Sequence, residues 1–334
     1  MRYIIIGAGA VGGTIGGQLF AAGHEVVLVA RGPHYEALRK GGLQLATPHD
    51  LLTLPIPVVD RPEALELQPG DVLILAVKTQ HSVALLDAWA GRPVAGGGTA
   101  AELLPVVCAQ NAVENERLAL RRFRHVYGMC VWLPATHLEP GRVAASGSPL
   151  SGILHIGRYP SGTGETAEKI SADLEKSAFL APVLPDVMRW KYAKLLSNLG
   201  NALEAICGPI TGDEALDLHR RAMAEGGAVL AAAGIDHASA AEQAEMRGDR
   251  VQLKPVEGER RGGGSSWQSL ARGSGSIESD YLNGEITLLG RTHGIATPVN
   301  EVLQRLANQF AREQREPGSM TVSDLTALID IRDA

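Results

Sequence analysis

The chain has 334 residues, which is long for one hydrophobic core, so the sequence predicts two domains. A net charge of −6 gives no support for a surface that binds nucleic acid or an anionic membrane. No apolar stretch has the length of a membrane span. Three widely separated cysteines without a C-x-x-C fit reduced thiols in a cytoplasmic protein rather than a disulfide frame or a metal site.

The beginning of the chain carries the strongest motif. Residues 1–6 form a β-branched apolar run that is typical of a buried parallel strand. A G-x-G-x-x-G motif follows at once and consists of Gly7, Ala8, Gly9, Ala10, Val11 and Gly12. In such a motif the first glycine permits a tight turn, the second lets the backbone approach a pyrophosphate, and the third lets the helix pack closely on the strand. With a helix expected over residues 12–22 and a second strand over 25–30, the motif predicts a dinucleotide site.

A signal peptide is the competing interpretation, because residues 3–22 carry no charge. That stretch contains six glycines and no compact apolar h-region, and a second strand follows it directly. These features favour the dinucleotide site over an exported leader.

Arg31 follows the second predicted strand, at the place where an NAD site has an acidic residue for the ribose 2′-hydroxyl. An arginine there can pair with a 2′-phosphate through charge-assisted, bidentate hydrogen bonds. The missing carboxylate therefore favours NADPH/NADP+ over NAD, and over the alternative of a solvated surface arginine.

Further buried strands are predicted over residues 71–77 and 103–110, and polar residues follow each of them. Lys78 comes after the first strand and Asn111 after the second. Ligands of open parallel sheets bind outside the carboxyl ends of the strands, so both residues are candidates for the same site. Other predictions in this half are a small hairpin within residues 42–57 and strands at 125–132, 142–145 and 152–156.

From about residue 185 the pattern becomes helical, which predicts domains at 1–184 and 185–334. One long helix is expected over residues 187–206, and it places Lys194, Asn198 and Asn201 within about 60° of one another. Asparagine is a poor interior helix residue, so this stripe is either a solvated face or part of a site. Lys191 lies three residues before Lys194 and is expected to tolerate alanine.

Downstream, residues 248–264 are polar and end in three glycines, which predicts a mobile loop. Ser266 could simply cap the next helix, and Glu278 could simply favour the dipole of a helix that follows it. Spacing alone is not diagnostic for either residue.

Taken together, these motifs resemble the ketopantoate reductase (2-dehydropantoate 2-reductase) family over nearly the whole chain. The residues that carry the resemblance are Gly7 to Gly12, Arg31, Lys78, Gln110-Asn111, Lys194 to Asn198, Ser265-Ser266, Glu278 to Gly284 and His293 to Pro298. The resemblance implies an α/β Rossmann-type N-terminal domain and an all-helical C-terminal domain of the 6-phosphogluconate dehydrogenase C-terminal-like type. It also implies a cytoplasmic oxidoreductase that reduces a small 2-keto acid with NADPH in pantothenate and coenzyme A biosynthesis.

The resemblance also assigns roles. It makes Lys194 the catalytic proton donor and Asn198 and Ser266 substrate-binding residues. Asn111 falls at the junction of cofactor and substrate, whereas Lys78 and Glu278 match cofactor-site residues. Glu278 is also a candidate catalytic residue, since it can hold either Lys194 or a cofactor hydroxyl; the sequence leaves both roles open. A homodimer is left open as well.

Three departures from the family concern the substrate. The second helix asparagine is expected at Ala202, and Asn201 stands one place earlier. An asparagine often found before the serine is Gly263, and an acidic residue expected after it is Leu270. Ketopantoate is the first candidate substrate, and the alternatives are another 2-keto or β-keto acid, or a non-enzymatic NADP-sensing protein.

Overall fold

The computed structural model describes residues 1–258 and 262–333, which divide into two compact units. The first unit contains Met1–Lys191 and the stretch that begins at Ser239. The second contains Tyr192–Ala238 and the chain from Gly262 onward. The return of the stretch after Ser239 to the first unit is a feature that the sequence pattern did not indicate.

The strands of the described residues all belong to the first unit. They are β1 (Arg2–Ile6), β2 (Glu25–Val29), β3 (Leu43–Ala46), β4 (Leu51–Leu54), β5 (Val58–Val59), β6 (Asp71–Leu75), β7 (Pro105–Cys108), β8 (His125–Trp132), β9 (Ala135–Thr136), β10 (Arg142–Ala145), β11 (Gly147–Pro149), β12 (Gly152–Arg158), β13 (Phe179–Leu180) and β14 (Val251–Leu253).

The helices are distributed over both units. They are α1 (Ala10–Ala21), α2 (Gly32–Gly41), α3 (Ser82–Ala90), α4 (Ala100–Leu103), α5 (Asn115–Leu120), α6 (Glu165–Glu175), α7 (Val187–Asn198), α8 (Gly200–Cys207), α9 (Asp213–Ala232), α10 (Ala240–Arg247), α11 (Ser265–Ala271), α12 (Asn283–His293), α13 (Pro298–Arg312) and α14 (Val322–Asp333). Short 3-10 helices lie at Pro62–Ala64, Thr79–His81 and Glu278–Tyr281.

An eight-stranded sheet forms the centre of the first unit, in the order β13-β12-β8-β7-β6-β1-β2-β5. The strands from β5 to β8 are parallel to one another. Their spatial order, β5-β2-β1-β6-β7-β8, is that of a dinucleotide-binding Rossmann sheet. Tyr3 and Ile5 of β1 face one hydrophobic core, whereas Ile4 and Ile6 face another. Burial on both faces explains the uninterrupted apolar run of this strand and confirms the predicted α/β class.

A second, four-stranded sheet in the order β4-β3-β10-β9 packs against α1. The predicted hairpin is confirmed as the antiparallel pair β3 and β4. Close packing explains two of the helix glycines: a Cβ added at Gly13 would lie 2.9 Å from Val143, and one at Gly17 would lie 2.9 Å from Leu45.

The predicted mobile loop over residues 248–264 contains β14, which pairs with β11, so that part of the expectation is wrong. Ladder hydrogen bonds in this pair satisfy backbone groups that a free loop would leave to water. Residues 259–261 of the predicted loop lie outside the described residues.

In the second unit, the described residues from Tyr192 to Ala238 and from Gly262 onward form helices and connecting turns only. The apolar face of α13 repeats at helical spacing through Val302, Leu306 and Phe310, all of which are buried. This face packs among α8, α9 and α12 and confirms the predicted helical C-terminal part. Within the described ranges, no helix of either unit is both long and apolar enough to cross a membrane.

Candidate active site

The glycine-rich loop joins β1 to α1 and has the geometry of a tight turn. Gly7 has φ +103°, a left-handed conformation that favours glycine, and a Cβ added there would lie 2.6 Å from Val77 Cγ1. A Cβ added at Gly12 would lie 2.0 Å from the Gly7 carbonyl oxygen. Both glycines therefore allow the helix to start directly at the carboxyl end of the strand.

Gly9 differs from these two because a Cβ added there would not clash with any atom. The nearest atom to a Cβ added at Gly9, outside the adjoining residues, is His137 Nδ1 at 3.8 Å. The motif continues through Ala8 into Ala10 and Val11, which begin α1. The missing side chain at Gly9 leaves the backbone of the loop approachable, which is what the motif requires of a pyrophosphate site.

Arg31 follows Ala30 at the carboxyl end of β2, the strand that pairs with β1. It is exposed, and its extended backbone precedes α2 as the N-cap residue. Its guanidinium forms an ion pair with no carboxylate in the described parts of the chain. The charge is therefore available to an anion from solution.

Lys78 and Asn111 stand where predicted, after β6 and β7, and both are half-buried. A buried polar network fixes their two segments to one another. The Gln110 amide donates to the Val77 carbonyl at 2.8 Å and to Ser82 Oγ at 2.9 Å. The Asn115 amide donates to Thr79 Oγ1 at 3.0 Å and to the Asn111 carbonyl at 3.1 Å. Sequence reasoning missed this network, whose members come from separate stretches of the chain.

Lys191 anchors the same network, which contradicts the expectation that it tolerates alanine. Its side chain is only 3% exposed, donates to the Gln110 carbonyl at 3.0 Å and forms an ion pair with the fully buried Glu116. Burial raises the pKa of Glu116, although the ammonium of Lys191 opposes the rise. Removal of either partner would leave an uncompensated buried charge.

The candidate substrate residues lie in the second unit. Lys194 is half-buried on α7, and Asn198 is one turn further along the same helix face. Asn198 is only 4% exposed, and its Nδ2 has no hydrogen-bond partner within the described part of the chain. A buried amide without a partner is costly, so this donor points to a ligand.

The prediction of one long helix over residues 187–206 is wrong, because α7 ends at Asn198 and a second helix, α8, begins at Gly200. Between them the Leu199 amide donates only three residues back, to the Leu196 carbonyl at 3.2 Å. The Leu199 carbonyl accepts a hydrogen bond from the buried Asn283 side chain at 3.0 Å. The angles calculated for one continuous helix therefore do not apply to Asn201.

Asn201 lies beside the segment that carries the candidate serine. A Cβ added at Gly264 would be 3.6 Å from Asn201 Oδ1 and 2.8 Å from Glu204 Oε2. The Glu204 carboxylate accepts the Gly264 N–H at 2.8 Å and holds this segment where α11 begins. Ser266 follows in the first turn of α11 and is 2% exposed. The structure therefore brings Asn201 and the Ser266 segment together, and Glu204 is a residue that sequence reasoning missed.

Two further candidates complete the second unit. Glu278 is the first residue of a 3-10 helix and is 5% exposed. At Gly263, where the family often has asparagine, an added Cβ would lie 2.7 Å from Trp267 Cγ. The indole of Trp267 thus occupies the space that a side chain at this position would need.

Comparison with known proteins identifies the family. The model described as "Ketopantoate reductase PanE/ApbA" matches residues 3–161, and the model "Ketopantoate reductase PanE/ApbA C terminal" matches residues 186–311. The chain belongs to the ketopantoate reductase family. The two matches cover the glycine-rich loop of the first unit and the helices of the second as far as residue 311.

Individual relatives of this ketopantoate reductase family member match nearly its whole length. The 2-dehydropantoate 2-reductase of Pyrococcus horikoshii is 27% identical, and the alignment covers 96% of this chain and all of that protein. The solved PanE/ApbA family ketopantoate reductase of Ralstonia eutropha JMP134 has a TM-score of 0.76 at 29% identity and covers 95% of this chain and 100% of that chain. A solved D-mandelate dehydrogenase with NADH and anilino(oxo)acetate has a TM-score of 0.79 at 23% identity, over 94% of this chain and 99% of that one, and shows the fold alone.

Proposed function

We propose that this chain reduces 2-dehydropantoate (ketopantoate) to pantoate with NADPH, a step of pantothenate and coenzyme A biosynthesis. Family membership supports the reaction class. The observation that carries the proposal is the buried, unpartnered amide of Asn198, one helical turn from Lys194. This pair offers a cation and a hydrogen-bond donor to a compact 2-keto acid.

The residues of the first unit fit a nicotinamide dinucleotide. Gly9 leaves room for the pyrophosphate at the start of α1, and the free charge of Arg31 suits a 2′-phosphate. Lys78 and Asn111 would contact the cofactor further along the same sheet edge. When bound, NADPH supplies the hydride from the nicotinamide C4 that reduces the ketone carbon.

Lys194 would supply the proton. A protonated amine hydrogen-bonds the ketone oxygen and donates to it as negative charge develops there, so the hydride and this proton together give the 2-hydroxy acid. Glu278 would act as the carboxylate that holds either Lys194 or a cofactor hydroxyl in place. A positioned acid of this kind contributes about 10²–10⁴ in rate.

The substrate would be oriented by three neutral polar groups. Asn198 Nδ2 would donate to a carboxylate or hydroxyl oxygen, and Asn201 and Ser266 would contact the rest of a small polar molecule. A site that is built to bond a substrate hydroxyl rejects the analogue without it, because its own buried polar groups are then left unpaired.

A panel of 2-keto acids assayed by loss of NADPH absorbance tests the proposal. Ketopantoate should have the highest kcat/KM, well above 2-ketoisovalerate, which has the same branched frame without the hydroxymethyl group. Asn198→Ala should reduce this ratio, whereas the exposed neighbour Ser197→Ala serves as the matched control.

A ratio near one, or a preference for 2-ketoisovalerate, would show that the pocket serves another 2-keto acid. Binding of NADPH without turnover of any acid in the panel would indicate an NADP-sensing protein instead. Whether the protein is a homodimer stays a prediction, and light scattering of the purified protein measures it.

A further inference from the structure

A strained turn follows β7 and begins at Asn111. The next residue, Ala112, has φ +66°, in the left-handed region that residues other than glycine rarely adopt, and it is only 4% exposed. A non-glycine residue keeps such a conformation only where the surrounding structure enforces it, and residues of this kind are concentrated at functional sites. The turn therefore depends on the contacts that hold it.

A buried asparagine supplies the contact that closes the turn. Asn115 is fully buried, and its Nδ2 donates to the Asn111 carbonyl at 3.1 Å, across the strained Ala112. The same Nδ2 donates to Thr79 Oγ1 at 3.0 Å, and Asn115 Oδ1 accepts from Ser82 Oγ at 2.7 Å. Both polar atoms of the Asn115 side chain are thus engaged, and they join the turn to the segment after β6.

The main chain is also held on the other side of Asn111. The Gln110 carbonyl accepts from Lys191 Nζ at 3.0 Å, and the Gln110 amide donates to the Val77 carbonyl at 2.8 Å. In contrast, the half-buried side chain of Asn111 forms no hydrogen bond within the described part of the chain. An asparagine with a fixed main chain and an unused amide is suited to contact a ligand.

We propose that Asn115 is a positioning residue, which holds the strained turn so that Asn111 is presented to cofactor and substrate in one orientation. This inference rests on the proposed function, in which Asn111 lies at the junction of the two reactants. A turn that is held in advance does not have to be ordered when the ligands bind. Misplacement of a contacting group by about 1 Å can lower a rate by about 100-fold. Asn115 would act on the reaction only through Asn111.

A double-mutant cycle in kcat, measured with NADPH and ketopantoate, tests this role. Asn115→Ala should lower kcat by about 10- to 100-fold, while the Kd of NADPH from a fluorescence titration changes less. In an Asn111→Ala background, where no side chain is left to position, Asn115→Ala should hardly change kcat further. The thermal midpoint should fall in both backgrounds, because the hydrogen bond to the carbonyl of residue 111 is lost in each.

A further variant tests the strain itself. Glycine adopts φ +66° without strain, so Ala112→Gly combined with Asn115→Ala should recover part of the kcat that Asn115→Ala loses. If Asn115→Ala does not fold, the cycle with Asn111→Ala is measured in the Ala112→Gly background. Ser171→Ala is the matched control, since the buried Ser171 donates to the Ala181 carbonyl elsewhere in the first unit. It should lower the thermal midpoint and leave kcat unchanged.

The contrary outcomes are distinct. An equal loss of kcat from Asn115→Ala in both backgrounds, or a similar loss in Ser171→Ala, would show that kcat follows general stability and would overturn the assignment. Unchanged kcat in Asn115→Ala or in Asn111→Ala would overturn it as well. If the unmutated protein turns over no 2-keto acid, the proposed function falls together with the inference, whereas normal turnover with equal losses in both backgrounds removes the inference alone.

Discussion

Both units place a run of glycines before a helix, and the two runs serve different purposes. In the first unit, a Cβ added at Gly9 before α1 would come no nearer than 3.8 Å to another atom, His137 Nδ1. In the second unit, Gly263 and Gly264 precede α11, and added Cβ atoms would meet the indole of Trp267 at 2.7 Å and the carboxylate of Glu204 at 2.8 Å. At the first run a Cβ fits without a clash, whereas at the second run other side chains of the protein fill the space.

The three departures from the family pattern, at Ala202, Gly263 and Leu270, all lie in the second half of the chain. In the first half, the glycine-rich loop depends on backbone geometry that few residues other than glycine allow. In the second half, the indole of Trp267 fills the space beside Gly263. Changes in the first unit should therefore affect the dinucleotide or folding, and changes in the second should affect turnover and substrate choice.

The largest effect is expected at Lys194. Lys194→Ala should lower kcat by about 10²–10⁴, because it removes the proton donor, while NADPH binding stays near normal. Steady-state kinetics and a fluorescence titration with NADPH measure the two quantities. Lys176→Ala, an exposed lysine after α6, is the control. If Lys194→Ala keeps most of its activity, the proposed mechanism is wrong.

Substitution of Lys191, three residues earlier on α7, should lower the stability of the fold rather than turnover alone. Lys191→Ala leaves Glu116 as an unpaired buried charge and should lower the free energy of unfolding by about 3–5 kcal/mol, measured by urea denaturation. In the unmutated protein, burial already raises the pKa of Glu116 above its ordinary value of 4.5. Without Lys191 the main opposition to that rise is lost, so the carboxyl of the variant can take a proton in mild acid. A carboxyl with a higher pKa in the folded than in the unfolded state costs stability as the pH rises and it must lose its proton. The difference in unfolding free energy between Lys191→Ala and the unmutated protein should therefore grow from pH 5 to pH 8.

The pair Lys191→Met with Glu116→Gln separates charge burial from packing. This double variant should recover much of the lost stability, because neither side chain then carries an uncompensated charge. Equal stability of Lys191→Ala and the unmutated protein would show that the ion pair contributes nothing to the fold.

Arg31 should affect cofactor choice. The unmutated protein should use NADPH much better than NADH, and Arg31→Ala should narrow the gap by about one to two orders of magnitude, from about 1.5–3 kcal/mol for a hydrogen bond to a charged group. Ratios of kcat/KM for the two cofactors give the result. Arg39→Ala, exposed on α2, is the matched control. Equal kcat/KM of the unmutated protein with NADPH and NADH would show that Arg31 does not contact the 2′-phosphate.

The smallest expected effect tests the two glycine runs directly. Gly263→Ala forces a contact with Trp267 and should cost about 1–3 kcal/mol of stability, as overpacking does, with NADPH binding unchanged. Gly9→Ala should show the opposite pattern, with weaker NADPH binding and a thermal midpoint close to that of the unmutated protein. The same pattern in both variants would abolish the distinction between the runs.

Local rules predicted the parts of the molecule that depend on neighbouring residues. The glycine motif, the apolar strand before it and the β3–β4 hairpin each follow from a short stretch of sequence. Contacts between distant stretches could not be predicted. The ion pair of Glu116 with Lys191 spans 75 positions, and the hydrogen bond from Asn283 to the Leu199 carbonyl spans 84. The apolar pattern continues through Leu199 without a break signal such as proline, so the end of α7 was not predictable.

The tightened turn at Leu199 changes which residues of α7 and α8 share a face. In a continuous α-helix each residue is rotated by about 100° from the one before it, so residues at i and i+4 nearly line up. In a 3-10 turn the side chains at i and i+3 eclipse, so the turn at Leu199 brings Asn201 toward the line of Asn198. A single tightened turn thus lets an asparagine at i+3 point where a regular helix needs one at i+4, the position of Ala202.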